Sequence, residues 1–417
     1  METAREFNKR GFSVLLMAFS AVVVWGGAFK SLGVLLPALT DQFTDYTWLT
    51  GIAVSIMGVT ADIAALVTKL LQDKFGSGRV LICSTAAMGL GFVLVSLATS
   101  IVHIAIVLAL VSGPALGITI VLSKVALGCH FNKRYSLASG ISHTGQVISL
   151  LACAPMMQLF LDTYGWRGAS LLLAGVCFHP VICAVLVREN KTRYEIPPNQ
   201  SDVHETNSNE STSDKSYCAH AVSTMDLGVL LRFNFWVVCS ILFGLRFVNT
   251  AWFLFYVSHL QAKGLTPQIA TGICSAAGVG YFLGCILFAS FVDRGLLKCS
   301  SAVLVSSLGL ALSLVVDPWL EDAVAMAFAN VFFGMSTSAL YSLSDVLTKE
   351  LLGVGRLTSA FSWIGAVCVL GSALAGFMPD WVYDTTGNFD TAFIVLSITP
   401  VVAAIPLLIG RIWKQLC

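Results

Sequence analysis

The polar stretch NKTRYEIPPNQSDVHETNSNESTSDKSYCAHAVST, Asn190–Thr224, divides a chain that is otherwise overwhelmingly apolar. It is rich in Ser, Asn and Glu and nearly devoid of large apolar side chains. Such a composition cannot bury a core and reads as a disordered linker. On each side of it, apolar windows of about 20 residues follow one another, the length that crosses a bilayer as a helix. Before the linker they fall at 12–37, 48–70, 79–100, 103–128, 136–160 and 167–187. After it they fall at 229–257, 267–291, 300–316, 322–347, 356–379 and 391–411. The chain therefore reads as six spans, a linker and six spans: 1–189, 190–225 and 226–417.

Composition agrees. The 417 residues are 56% hydrophobic and only 11% charged, with a mean hydropathy of +0.82. Soluble domains carry roughly 25% charged residues, so this chain lacks the polar surface to be one. The basic start METAREFNKRGF leads into an apolar run too long for a signal core, and that run is expected to remain as a span. The 12 cysteines lie in apolar segments or on the side assigned below to the cytoplasm, which argues against a disulfide framework.

Lysine and arginine placement sets the orientation. Lys9, Arg10, Lys74, Arg79, Lys133, Arg134, Arg188, Lys191, Arg193, Arg294, Lys298, Arg356, Arg411 and Lys414 fall in one set of connections. The other set holds only Arg167 and Lys263, beside acids such as Asp41, Asp317 and Asp390. Both termini and the linker are expected in the cytoplasm, most simply of a cell whose plasma membrane the chain spans. The sequons at Asn190, Asn199 and Asn209 are then expected to stay unglycosylated.

The halves echo each other. GVTADIAALVTKLLQDKFG in the second span matches GVGYFLGCILFASFVDRGL in the eighth, placing Asp73 against Asp293, offset by 220. LSKVAL in the fourth matches LSDVLT in the tenth, placing Lys124 against Asp345, offset by 221. Parallel six-span repeats are the architecture of major facilitator transporters. The fold class expected is an all-α integral membrane protein of twelve transmembrane helices in two six-helix halves.

In such a fold spans 1, 4, 7 and 10 line a central cavity, and here each carries one ionisable residue away from its ends: Lys30, Lys124, Arg246 and Asp345. The second span adds Asp62. A charge at the bilayer centre costs at least ~2.5–3.5 kcal/mol on insertion scales, so such residues pair, meet water or meet a ligand. Lys124 and Asp345 lie at matching depth; a bridge closing the cytoplasmic side and a direct substrate contact are both open readings. Lys30 corresponds by the repeat to Thr250, one helical turn from Arg246, so two cations from opposite halves would approach across the cavity. An anion between them would relieve their repulsion, the Arg fork and the Lys point charge both suiting a carboxylate. Asn249 and Tyr281 are added as substrate contacts. Asp62 is either a proton carrier or a structural partner of Lys30 or Arg246. His143 and His179 read as helix-packing residues. No metal-ligand cluster, phosphate loop or nucleophile–base pair stands out, so neither a cofactor nor an enzyme is expected, nor a nucleic-acid partner.

Particular motifs carry a family resemblance. HFNKRYSLASGISHTG, His130–Gly145, resembles the loop-to-fifth-span signature of the monocarboxylate transporters through Phe131, Lys133, Arg134, Leu137, Ala138, Gly140 and Gly145. YGWRGASLLLAG (Tyr164–Gly175), YDTTGNFDTAF (Tyr383–Phe393) and AFKSLGV around Lys30 resemble further segments of that family. The resemblance implies a substrate-contacting lysine at Lys30. It also implies transport of a small organic acid or zwitterion, with a proton and a single-span accessory protein as further partners beside the lipid bilayer. Two departures stand out. The opening motif is reduced to RGFSVL, and the eighth-span Asp-x-x-x-Arg pair of proton-linked members is replaced at about Tyr281 and Cys285. Asp62 or Asp345 would then carry any proton.

The reading is a secondary-active carrier of a small monocarboxylate working by alternating access. Asp73, Lys133, Arg134, Asp293 and Arg294 would latch its states. A pH-independent carrier of a zwitterionic metabolite and a non-transporting sensor or accessory protein are the alternatives.

Overall fold

The computed structural model describes residues 9–43, 47–189 and 226–413. The linker expected at 190–225, with its sequons, lies outside them. Among the described residues eleven helices are long and apolar enough to cross a membrane. In chain order the crossings are span 1 (Lys9–Phe43), span 2 (Thr47–Ala64, a 3-10 turn Ala65–Val67, and Thr68–Phe75) and span 3 (Ser77–Ser96). Span 4 runs through Ile101–Val107, a π turn Leu108–Ser112 and Gly113–His130. Span 5 runs through Tyr135–His143, Gly145–Ile148, a π turn Ser149–Cys153 and the start of Ala154–Glu189. Span 6 fills the remainder of Ala154–Glu189. Spans 7 to 12 are Phe233–Ala262, Pro267–Asp293, Cys299–Val316, Ala323–Leu352, Leu357–Thr386 and Phe389–Ile412.

The expected twelve and the eleven are reconciled at span 5. It is broken into short pieces, and its last part joins span 6 in one apparent helix whose chain reverses at Gly165 (φ 66°, ψ 176°). Both π turns have the same cause. Each ends two residues before a proline, Pro114 or Pro155. Proline supplies no N–H and its ring crowds the carbonyl four residues back, so the helix widens there. Polar side chains start several spans: Ser100 accepts from the His103 amide, Asp322 from Ala325 and Asn388 from Asp390.

The repeat is visible in the packing. A Cβ on Gly113 of span 4 would lie 2.7 Å from the Met57 carbonyl oxygen of span 2, and one on Gly334 of span 10 would lie 2.0 Å from the Ala277 carbonyl oxygen of span 8. The paired positions are offset by 334 − 113 = 221 and 277 − 57 = 220, the offsets found in the sequence. Small residues allow such backbone approach, which is how helices pack without a hydrophobic driving force. Outward faces carry exposed Leu90, Leu110, Leu172, Leu283, Leu308 and Phe328, side chains suited to lipid.

The halves meet mainly at the end that bears both chain termini. There Asp293 accepts from the Leu137 amide at 2.9 Å, Ser139 Oγ donates to the Ser342 carbonyl, and Thr358 Oγ1 donates to Gln72 Oε1 at 3.0 Å. Lys349 adds bonds to the Phe131 carbonyl and to Asn132. At the opposite end, Arg167 bonds the Ala98 carbonyl and Lys263 bonds the carbonyls of Asp317, Pro318 and Leu320, contacts that each stay within one half. The molecule is sealed at the terminus side.

Candidate functional site

A cavity of about 430 Å³ lies between the halves, built from spans 1, 4, 5, 7, 8 and 10. It extends from Thr271 and Ser275, near the start of span 8 at the outer end, to Lys124, His143 and Tyr341 at the sealed end. Its walls are largely aromatic: Trp25, Trp252, Phe253, Phe333, Tyr281 and Tyr341. Trp252 stacks on Phe333 with centroids 4.7 Å apart and on Tyr256 behind it at 5.3 Å. That stacking gives the wall a fixed shape.

Three cations face this space. Lys30 stands in the upper wall with its Nζ 3.5 Å from the centroid of the Phe253 ring, a cation–π contact between span 1 and span 7. Among the described residues no carboxylate is paired with it. Arg246 is different: its two terminal nitrogens donate to the two oxygens of Asp62 at 3.2 and 3.5 Å, a fork joining span 7 to span 2. Lys124 donates to Asp345 Oδ1 at 2.8 Å, and His143 Nε2 lies 2.9 Å from Asp345 Oδ2. Asp345 is buried, and its two partners come from the opposite half.

The residues singled out from sequence thus separate. Lys30, Lys124, Arg246, Asn249 and Tyr281 line one cavity, with Asp62 and Asp345 directly behind two of its cations. The expected approach of two unpaired cations is corrected by the Asp62 contact, because neutralisation of Arg246 leaves Lys30 as the cation without a carboxylate. Of the latch residues, Asp293 bonds across the halves at the start of span 5, close to Arg134. Asp73 is exposed and faces Lys69 of its own helix, Arg294 is exposed, and Lys133 lies in the turn before span 5. In the second half's counterpart contact, the neighbour Gln72 replaces Asp73 by bonding Thr358.

Sequence reading assigns His143 to helix packing, whereas the structure places it on the cavity wall against Asp345. A lone histidine in an apolar span gives no periodic signal, and its partner Asp345 is 202 residues away. The aromatic residues were noted only in part, since aromatics in spans usually pack or sit at interfaces. A second buried cluster lies in the outer end of the second half. There Tyr256 donates to Asp317 Oδ1 at 2.5 Å, His259 Nε2 lies 2.8 Å from Asp317 Oδ2, and Asn330 donates to the Tyr256 hydroxyl. It holds span 7 to the ends of spans 9 and 10, behind the cavity wall.

Residues 14–321 match the Major Facilitator Superfamily. Among curated proteins, monocarboxylate transporter 13 of Rattus norvegicus is 26% identical over 392 residues, covering 92% of this chain and 85% of that protein. Monocarboxylate transporter 12 of Xenopus laevis is 23% identical, covering 97% and 90%. Among solved structures, the transporter FucP in the outward conformation superposes with a TM-score of 0.70 at 16% identity, covering 94% of this chain and 97% of that one. The proton:xylose symporter XylE bound to 6-bromo-6-deoxy-D-glucose gives 0.74 at 12% identity, covering 97% and 96%. At such identities the structural likeness is one of fold.

Proposed function

This chain belongs to the Major Facilitator Superfamily, and from that premise we propose that it carries a small monocarboxylate across the plasma membrane by alternating access. One observation carries the reading: of three cavity cations, two are neutralised by carboxylates and Lys30 is left over. The cavity then offers one net positive charge in an aromatic enclosure, which favours a singly charged anion with an apolar body. The similarity to proteins named monocarboxylate transporters points the same way. Asn249 and Tyr281 would complete the polar contacts, and the neutralised Arg246 would become available only by releasing Asp62.

The halves 1–189 and 226–417 would rock about this site, joined by the linker 190–225. With both termini cytoplasmic, the terminus-side seal makes the state described here the outward-facing one. Asp293, with Arg134 and Lys133 nearby and Arg294 and Asp73 at the loop ends, would latch that seal.

A zwitterionic substrate is the second reading, favoured by the Arg246–Asp62 fork: an ammonium and a carboxylate could each take one partner of an opened pair. The test is flux into proteoliposomes holding the purified protein, with L-lactate, a dicarboxylate, creatine and carnitine supplied separately. The monocarboxylate reading requires lactate-type uptake above protein-free vesicles and exclusion of the dicarboxylate. Creatine or carnitine uptake without monocarboxylate uptake would replace it with the second reading. A single-span accessory protein is a further proposed partner, and flux of the protein alone in this assay tests whether transport requires it.

A further inference from the structure

Opening the sealed end must separate Asp345 from both partners, because Asp345 is on span 10 while Lys124 and His143 are on spans 4 and 5. Removing one side of a buried ion pair is strongly destabilising, because a bare charge is left in low dielectric. A proton on Asp345 removes that charge. The group placed to deliver one is His143, which contacts the carboxylate at 2.9 Å and also lines the cavity.

We infer that His143 is the proton carrier of this molecule, taking a proton from the cavity and passing it to Asp345 so that the terminus side can open. The inference rests on the carrier reading and deepens it, naming the coupled ion and its path. A carboxylate can only accept hydrogen bonds, so His143 Nε2 bears the hydrogen facing Asp345 Oδ2 and Nδ1 is the basic nitrogen. A proton arriving from cavity water bonds to Nδ1 and makes an imidazolium. The Nε2–H bond then breaks as the proton moves to Asp345 Oδ2, leaving a neutral imidazole protonated at Nδ1 and a neutral carboxylic acid. One proton has entered and none is lost until Asp345 meets water on the terminus side.

The surroundings fit this role. Tyr341 of span 10 stacks on the His143 ring with centroids 6.1 Å apart, fixing its plane. Tyr281 and Cys285 of span 8 pack with Val147 and Tyr341 one turn further along span 5. Tyr135 is near Asp345, Lys124 is the second ion-pair partner of that carboxylate, and the Arg246–Asp62 pair supplies further charges of the site. Histidine is the side chain that ordinarily changes charge near neutral pH. Asp62, the other acid beside the cavity, contacts the Arg246 guanidinium, which holds its protons at all ordinary pH, whereas Asp345 contacts an imidazole that can pass one on.

The test is amide hydrogen–deuterium exchange of the ligand-free protein in nanodiscs, at about pH 6 and about pH 7, corrected for the intrinsic rate. If opening takes up one proton, its equilibrium changes about tenfold per pH unit. Peptides covering 131–145 and 338–352 are then expected to exchange up to about tenfold faster at the lower pH in the native protein. His143→Gln, which can still donate to Asp345 but has no transferable proton, is expected to keep this equilibrium dependence, because Asp345 holds the proton. It is expected to lose the acceleration of monocarboxylate uptake into proteoliposomes at the lower pH. Asp345→Asn is expected to exchange fast at both values, as a permanently neutral side chain. A native protein with no pH dependence in these peptides overturns the inference, as does a His143→Gln variant whose uptake accelerates at the lower pH as the native protein's does. Failure of the carrier reading is seen separately, as absence of flux in a protein whose exchange still responds to pH.

Discussion

Arg246 and Asp62, 184 residues apart in the chain, meet in a two-point fork at mid-membrane depth, with nitrogen–oxygen distances of 3.2 and 3.5 Å. The pair joins span 7 of one half to span 2 of the other and is partly open to the cavity. Neither residue is then a lone charge in the bilayer, and their fates are coupled.

For such a pair the single substitutions Arg246→Gln and Asp62→Asn should each destabilise more than half of what the double variant costs. Contacting residues show interaction energies of about 0.5–3 kcal/mol in double-mutant cycles. Thermal unfolding in detergent across the four proteins measures this. Additive single effects would mean that the fork contributes nothing to stability.

Close helix contact gives a second expectation. Gly334→Ala forces a methyl to within 2.0 Å of the Ala277 carbonyl, so spans 8 and 10 must move apart; Gly272→Ala in span 8 meets nothing within 4 Å. Overpacking typically costs about 1–3 kcal/mol and occasionally more. Gly334→Ala should lower the yield of folded protein and the melting temperature, while Gly272→Ala should leave both near native. Equal behaviour of the two would refute the packing argument.

The buried cluster around Asp317 is expected to be structural. Asp317→Ala leaves His259 Nε2 and the Tyr256 hydroxyl without their acceptor, and each buried polar group left unsatisfied costs about 1–3 kcal/mol. Tyr256→Phe, which removes one neutral donor, should cost nearer ~1 kcal/mol. Melting temperatures in that order support the assignment, and the reverse order contradicts it.

Asp293, from the other half, accepts from the Leu137 amide in the first turn of span 5, so Asp293→Ala should favour opening of the terminus side. A lost capping acceptor is worth about 0.5–2 kcal/mol. A cysteine placed at Ser139, buried against Ser342, should react with a water-soluble maleimide several-fold faster in that background. Unchanged labelling would remove Asp293 from the latch.

Much of the fold was legible because bilayer thickness fixes the length of each apolar run, and the offsets of 220 and 221 already related Asp73 to Asp293 and Lys124 to Asp345. Span 5 was less legible inside: the gap between windows 136–160 and 167–187 brackets the reversal at Gly165, but hydropathy does not register that Pro155 widens the helix. At the site, the residues of spans 1, 4, 7 and 10 were found because a lysine, an arginine or an aspartate inside a span is conspicuous. Their pairing was not, since sequence does not say whether Asp62 faces Lys30 or Arg246. His143 was passed over because its significance lies wholly in Asp345, brought to it by tertiary packing.

The central claim is that Lys30, over Phe253 and without a carboxylate of its own, holds the substrate's single negative charge. Its most direct test is initial-rate uptake of a transported monocarboxylate by proteoliposomes holding native protein or Lys30→Gln, at matched folded protein. A charged hydrogen bond contributes about 1.5–3 kcal/mol, so uptake at low substrate should fall by about tenfold or more in the variant, while its melting temperature stays near native. Uptake by Lys30→Gln equal to that of the native protein would contradict the account.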